Sequence, residues 1–198
     1  MGAWATYCVF CGSSIGRDAR YREAAVAAGQ ALVRAGIDLV YGGGRIGLMG
    51  IIADAVLAHG GRVTGVIPRD LLDRELGHDG LTMLHVVPSM HERKAKMAEL
   101  SDGFIALPGG AGTLEEMFEQ WTWAQLGIHA KPCGFLNIDG YFDPARAMIA
   151  RMVAEGFLSP EHADILEFAS DIDTLLERFR DRLAPAPGWR PETAVPRP

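Results

Sequence analysis

The segment Pro108-Gly109-Gly110-Ala111-Gly112-Thr113-Leu114-Glu115-Glu116 packs three glycines, a hydroxyl and two adjacent carboxylates into nine residues. It follows the apolar run Phe104-Ile105-Ala106-Leu107 and leads into Met117, Phe118, Trp121 and Trp123. That pattern reads as a buried strand, a tight turn and the first turn of a helix, with Thr113 as the expected helix cap. Glycines let the backbone turn sharply and let a ligand approach without a Cβ in the way. A helix N-terminus presents free N–H groups and a positive dipole end, which suits a phosphate. Glu115 and Glu116 then stand within one turn of that anion site. Glutamates in a first turn also complement the dipole with no chemistry attached, so the pair alone decides nothing.

A second charged cluster is His91-Glu92-Arg93-Lys94-Ala95-Lys96-Met97, inside a helix expected over Met90–Ser101. Helical spacing puts Arg93, Met97 and Leu100 on one face, so Arg93 lies at an apolar stripe. A guanidinium there calls for a carboxylate or phosphate partner. Lys96 reads as an ordinary solvated charge. Gly42, Gly44 and Gly47 match the Gly-x-Gly-x-x-Gly spacing of dinucleotide sites, yet they follow the second strand rather than the first. The acid that would hold a ribose about 20 residues later is replaced by Pro68-Arg69. A phosphate or mononucleotide contact, with Ser13, Gly43 and Gly44 as candidates, suits this better than NAD; turn geometry alone is the plainer alternative.

Other chemistry finds little support. Cys8 and Cys11 have redox spacing but lie along a strand, whose alternation sends the sulfurs to opposite faces. Only Cys133 remains besides them, and the six histidines are scattered, so neither a disulfide framework nor a metal site is expected. Ser13 and Ser14 are not read as a hydrolase nucleophile, and no triad is visible.

The elements that must position these groups alternate. Strands are expected at Tyr7–Phe10, Asp38–Tyr41, Val63–Ile67, Leu84–Val87, Phe104–Leu107, Cys133–Ile138 and Ile165–Phe168. Helices are expected at Asp18–Ala35, Gly47–His59, Met90–Ser101, from Thr113 onward, Pro144–Glu155 and Asp171–Leu183. This rhythm, with glycines at strand exits, indicates a parallel sheet covered on both faces. Ligands in such sheets sit beyond the carboxyl ends of the strands, where Gly12–Ser14, Gly42–Gly47 and Pro108–Glu116 all fall.

At 198 residues the chain is long enough for one domain, expected over residues 1–183. The last fifteen residues, 184–198, hold five prolines and read as a disordered tail. A hydrophobic share of 48% with 22% charged residues is that of a globular protein, and net charge −6 argues against a nucleic-acid polymer as partner. No signal peptide and no apolar run of about 18 residues is seen, so a cytoplasmic address without a membrane partner is expected.

Met90–Met97, followed by Pro-Gly-Gly-x-Gly-Thr-x-x-Glu ending at Glu116, resembles the LOG ("lonely guy") family of cytokinin riboside 5′-monophosphate phosphoribohydrolases. The similarity extends to Phe10–Ser14, Tyr41–Gly44, Trp123–Gly127 and Asn137–Tyr141. The resemblance implies a Rossmann-like doubly wound, mainly parallel sheet with helices on both faces, and a homodimer with the active site near its interface. It implies hydrolysis of the N-glycosidic bond of N6-modified adenosine 5′-monophosphates, with AMP itself a poorer substrate, and no metal or organic cofactor. The catalytic pair maps onto Arg93 and Glu116. Substrate contacts map onto Glu75, Met90, Arg93, Lys94, Gly110, Ala111, Gly112, Thr113, Leu114, Glu115, Glu116 and Thr122. The rival readings are a nucleotide sensor or carrier without turnover, a pyridoxal-phosphate decarboxylase, and an NAD-dependent oxidoreductase.

Overall fold

The computed structural model describes residues 5–72 and 77–181. The expected proline-rich tail, the end of the last helix and Glu75 lie outside the described residues. Seven strands form one sheet: β1 (Ala5–Phe10), β2 (Ile37–Tyr41), β3 (Val63–Pro68), β4 (Met83–Val87), β5 (Gly103–Ala106), β6 (Cys133–Leu136) and β7 (Leu166–Ala169). Every pairing is parallel, in the order β4-β3-β2-β1-β5-β6-β7. The chain builds outward from β1 to β4, then crosses back to lay β5 on the other side of β1. The crevice between the carboxyl ends of β1 and β5 is therefore the switch point, where doubly wound sheets bind ligands.

The helices are α1 (Ala19–Arg34), α2 (Gly47–Ala58), the single turn α3 (Arg69–Leu72), α4 (Met90–Glu99), α5 (Ala111–Gln125), α6 (Asp143–Ala154), the single turn α7 (Pro160–Ala163) and α8 (Ile172–Asp181). Strand alternation divides the core into two layers. Tyr7, Val9, Leu39, Tyr41 and Ile105 meet the apolar faces of α1, α2 and α8. Cys8, Phe10, Val40, Phe104 and Ala106 meet those of α4, α5 and α6. Cys8 and Cys11 fall in opposite layers, and all three cysteines are buried free thiols.

The sequence places all seven strands within about two residues of their observed positions. The sixth is shorter than expected: it ends at Leu136, and Ile138–Gly140 forms a 3-10 turn instead. Local chemistry explains the helix starts. Asp18 accepts from the Arg20 backbone N–H at the head of α1, and the same Arg20 holds the Asp18 carboxyl down at about 2 through a side-chain hydrogen bond. Ser89 is the N-cap of α4: its hydroxyl accepts from Glu92 N and donates to the Glu92 carboxylate. This cap fixes the start of α4, and with it the directions of Arg93 and Lys94 one turn later.

Candidate active site

The exits of β1, β2 and β5 are tied together by backbone bonds. Gly12 N donates to Pro108 O at 3.1 Å, Leu48 N to Gly12 O at 2.9 Å, and Leu107 N to Phe10 O at 2.9 Å. The three glycine-rich clusters therefore meet at the switch point, as the sheet rule requires. Between them opens a cleft of about 340 Å³ lined by residues from four parts of the chain, Cys11–Ser13, Met49, Met90 with Arg93, and Gly110–Thr113 with Glu115 and Glu116; Leu71 completes the wall.

Helix α5 starts one residue after Gly110, which is extended (φ −90°, ψ −158°) and is itself the N-cap, with no side-chain cap. The expectation that Thr113 caps this helix is corrected. Thr113 is the third helical residue, buried, with its hydroxyl lying over the Cα of Gly109. A Cβ on Gly109 would overlap that hydroxyl and come within 2.8 Å of Gly12 N. Nothing lies within 4 Å of where a Cβ on Gly110 or Gly112 would stand. One glycine is thus demanded by protein packing, while two leave the space in front of the helix N-terminus open. The N–H groups of that first turn have no intrahelical partners, which makes the open space a place for an anion.

Arg93 is 5% exposed despite its charge, and its Nη2 donates to the carbonyl oxygen of Gly42 at 3.0 Å. Its Nη1 lies 3.7 Å from the sulfur of Met90 one turn earlier. The apolar stripe inferred for Arg93 is real: Met97 is buried in the layer behind it. Gly42 has no side chain because a Cβ there would overlap the guanidinium. Arg93 and Glu116 also act on one buried sulfur. Burial pushes the Cys8 thiol well up, the Glu116 carboxylate adds to this, and the Arg93 guanidinium pulls it back. The cleft therefore joins a buried cation and a carboxylate on neighbouring helices.

Lys94 is buried alongside, but its ammonium turns to α5, 2.5 Å from Glu115 and 3.0 Å from Glu119. Lys96 pairs with Glu99 at 3.1 Å on the exposed side, as an ordinary surface charge. Leu114 packs against the sheet layer rather than lining the cleft wall. Thr122 is exposed, its hydroxyl bonded to Phe118 O at 2.7 Å, about 15 Å further along α5 than Gly112. Ser13 lines the cleft, and its backbone rests on the bare Cα of Gly47 (φ 61°). Gly43 and Gly44 are engaged elsewhere: Gly43 O accepts from His78 N at 3.1 Å, and Gly44 bridges Gly77.

The sequence reading did not single out Cys11, Met49 or Leu71 as cleft residues. Position at a strand exit was the available signal for Cys11; nothing local marks Met49 and Leu71.

Comparison with known proteins places this arrangement. A family model described as "Possible lysine decarboxylase" matches residues 49–179. The chain is 54% identical over 178 residues to the Oryza sativa subsp. japonica "Probable cytokinin riboside 5'-monophosphate phosphoribohydrolase LOGL5", covering 90% of this chain and 72% of that protein. It is 51% identical over 174 residues to cytokinin riboside 5′-monophosphate phosphoribohydrolase LOG3 of Arabidopsis thaliana, covering 88% of this chain and 81% of that one. Among solved structures, the Moco carrier protein of Chlamydomonas reinhardtii superposes with a TM-score of 0.69 at 18% identity, over 90% of this chain and 96% of that chain. At that identity the likeness concerns the fold alone. With half of its residues shared along most of its length, the chain belongs to the LOG family of cytokinin riboside 5′-monophosphate phosphoribohydrolases.

Proposed function

We propose that the cleft hydrolyses the N-glycosidic bond of N6-modified adenosine 5′-monophosphates, releasing the free base and ribose 5-phosphate. The observation that carries this is the union, in one cleft, of an open helix N-terminus with the Arg93 and Glu116 charges. The 5′-phosphate sits on the N–H groups of Gly110 to Thr113, where Gly110 and Gly112 leave room. Binding energy gathered at the phosphate positions C1′ one helical turn further in, beside Glu116.

The C1′–N9 bond then breaks with its electron pair leaving on the purine as positive charge builds on the ribose. A water oxygen bonds to C1′, keeps one proton as the new hydroxyl, and its other proton ends on the departing base. The Glu116 carboxylate stabilises that charge and orients the water. The part of the Arg93 guanidinium is electrostatic, and its bond to Gly42 O fixes where that charge stands. Glu115 shares the Lys94 ammonium with Glu119, while Glu116 lines the cleft together with Arg93 and is the carboxylate assigned to the reacting carbon.

A Schiff-base lysine, which the rival decarboxylase reading needs, has no fitting candidate. The chain has three lysines, Lys94, Lys96 and Lys131. Two are held by carboxylates, and Lys131 donates to Ala98 O at 2.7 Å. Lys94 is driven further from the neutral amine: burial alone would lower its pKa, but the Glu115 and Glu119 hydrogen bonds outweigh that and raise it.

A homodimer belongs to the same proposal. Thr122, exposed and distant from the phosphate cup, reaches a nucleotide best when a second copy brings the surfaces together. The three buried free thiols favour a reducing, cytoplasmic setting.

The test is incubation of the pure protein with isopentenyladenosine monophosphate, the unphosphorylated riboside and AMP, with free base read by chromatography. Base is expected from monophosphates only, with Glu116→Gln and Arg93→Ala each lowering kcat/KM by about 10²–10⁴-fold. Nucleotide binding with no base release would leave a carrier, not an enzyme.

A further inference from the structure

Tyr141 takes no part in the chemistry above, yet its hydroxyl donates to the carbonyl oxygen of Gly109 at 2.6 Å. Gly109 supplies the C=O, and Gly110 the N–H, of one peptide group. In a trans peptide these point in opposite directions. Tying the carbonyl to Tyr141 therefore turns the Gly110 N–H the other way. Tyr141 lines a separate pocket of about 310 Å³ with Tyr21, Ile15 and Leu48. Gly110 borders both that pocket and the cleft of Arg93 and Glu116.

We propose that Tyr141 is a positioning residue for the phosphate cup: it orients the Gly109–Gly110 peptide so that the Gly110 N–H meets the 5′-phosphate. This rests on the reading of the α5 N-terminus as that phosphate's site. The tyrosine is 40% exposed, and two ring contacts hold it. Its ring packs edge-on to Phe142 at 4.9 Å, and Phe142 is 2% exposed within the core. Tyr21 closes on the other side at 5.6 Å. The corner that delivers it is braced by Asn137, whose side-chain oxygen accepts from Phe142 N at 2.6 Å. Asp139 in the same corner takes the left-handed conformation (φ 48°) and pairs with Arg20, which Asp18 also holds. A turn built this tightly delivers the hydroxyl to one fixed point.

A purely structural hydrogen bond would change stability and nothing specific to phosphate, and calorimetry separates the two. Ribose 5-phosphate and the unphosphorylated riboside are titrated into wild type, Tyr141→Phe and Tyr141→Ala, with melting temperatures and steady-state kinetics on the same samples. Tyr141→Phe is expected to weaken ribose 5-phosphate about 3- to 10-fold and to raise KM for the monophosphate by a like factor. Its kcat, its riboside affinity and its melting temperature stay near wild type. Tyr141→Ala adds a lower melting temperature to the same phosphate loss, because the ring contacts also go. Unchanged ribose 5-phosphate affinity in Tyr141→Phe overturns the proposal, and so does an equal loss for both ligands. Since binding is read without turnover, a wild type that binds ribose 5-phosphate but releases no base would refute the reaction, not Tyr141.

Discussion

Arg93 and Gly42 are matched: the guanidinium donates to the glycine's carbonyl at 3.0 Å and occupies the space where a side chain on Gly42 would stand. The residue that looked like part of a dinucleotide fingerprint is thus the seat of the site's buried cation. Gly42→Ala must push Arg93 aside, and small displacements of a charged group near a reacting centre are costly. The expected result is a fall in kcat/KM of about 10²-fold, with the fold intact by circular dichroism. A Gly42→Ala protein with wild-type kcat/KM would show that the position of Arg93 does not matter.

The glycines of the helix turn separate into two kinds that mutation can tell apart. Gly109→Ala drives a methyl into the Thr113 hydroxyl and against Gly12 N, at a cost of about 1–3 kcal/mol of overpacking. Gly112→Ala meets open space and replaces a poor helix former by the best one, which adds up to about 1 kcal/mol of stability. The second methyl, however, fills space reserved for phosphate. Thermal melts should therefore move in opposite directions, while ribose 5-phosphate affinity falls in both. Tight binding by Gly112→Ala would place the phosphate elsewhere.

Much of this site could be read from the sequence because its parts lie where short-range patterns are strong. Apolar runs ending in glycine give the strands, and the parallel sheet then brings Gly12, Gly42 and Pro108 together. The side-chain facing of Arg93 follows from its spacing with Met97. What could not be read is what each glycine or charge meets across the fold. The Gly-x-Gly-x-x-Gly spacing says nothing of Arg93 lying on Gly42, or of Gly43 being taken up by His78. The capping role given to Thr113 follows from residue type, yet the preceding Gly110 already starts the helix from an extended conformation. Tyr141 ends the Asn137–Tyr141 stretch of the resemblance, but its contact is unreadable for the same reason: its partner is 32 positions away and is a carbonyl, which no side-chain pattern announces.

Lys94 joins α4 to α5 through Glu115 and Glu119. Lys94→Met leaves two carboxylates close together without their cation, and should cost about 1–3 kcal/mol in urea unfolding. The sign of the pH dependence follows from a folded pKa raised above the ordinary 10.5. The lysine's contribution is complete below the unfolded value and is lost only as pH rises through the folded one. The gap between wild type and Lys94→Met should hold steady from pH 7 to pH 9 and close only in strong alkali. A gap that closes near neutrality would contradict the charge assignment.

His129 gives the opposite dependence, on the acid side. Burial pushes its imidazole down to about 4, the Lys131 ammonium acts in the same direction, and a backbone bond at Gln120 opposes them more weakly. The ring lies against Phe104, with centroids 5.3 Å apart, and its Nδ1 accepts from the Lys131 backbone N–H at 3.2 Å. Protonation would put a hydrogen on that accepting nitrogen, facing the Lys131 N–H. The unfolded chain, with an ordinary histidine near 6.5, binds more protons than the folded chain between about pH 4 and 6.5. Stability from the neutral ring is therefore complete above that window and is lost progressively as pH falls through it. Between pH 8 and pH 5, wild type should lose about 1–2 kcal/mol more than His129→Gln, whose side chain does not titrate. Urea midpoints at the two pH values measure this directly, and parallel losses in the two proteins would mean that the buried ring is not what acid attacks.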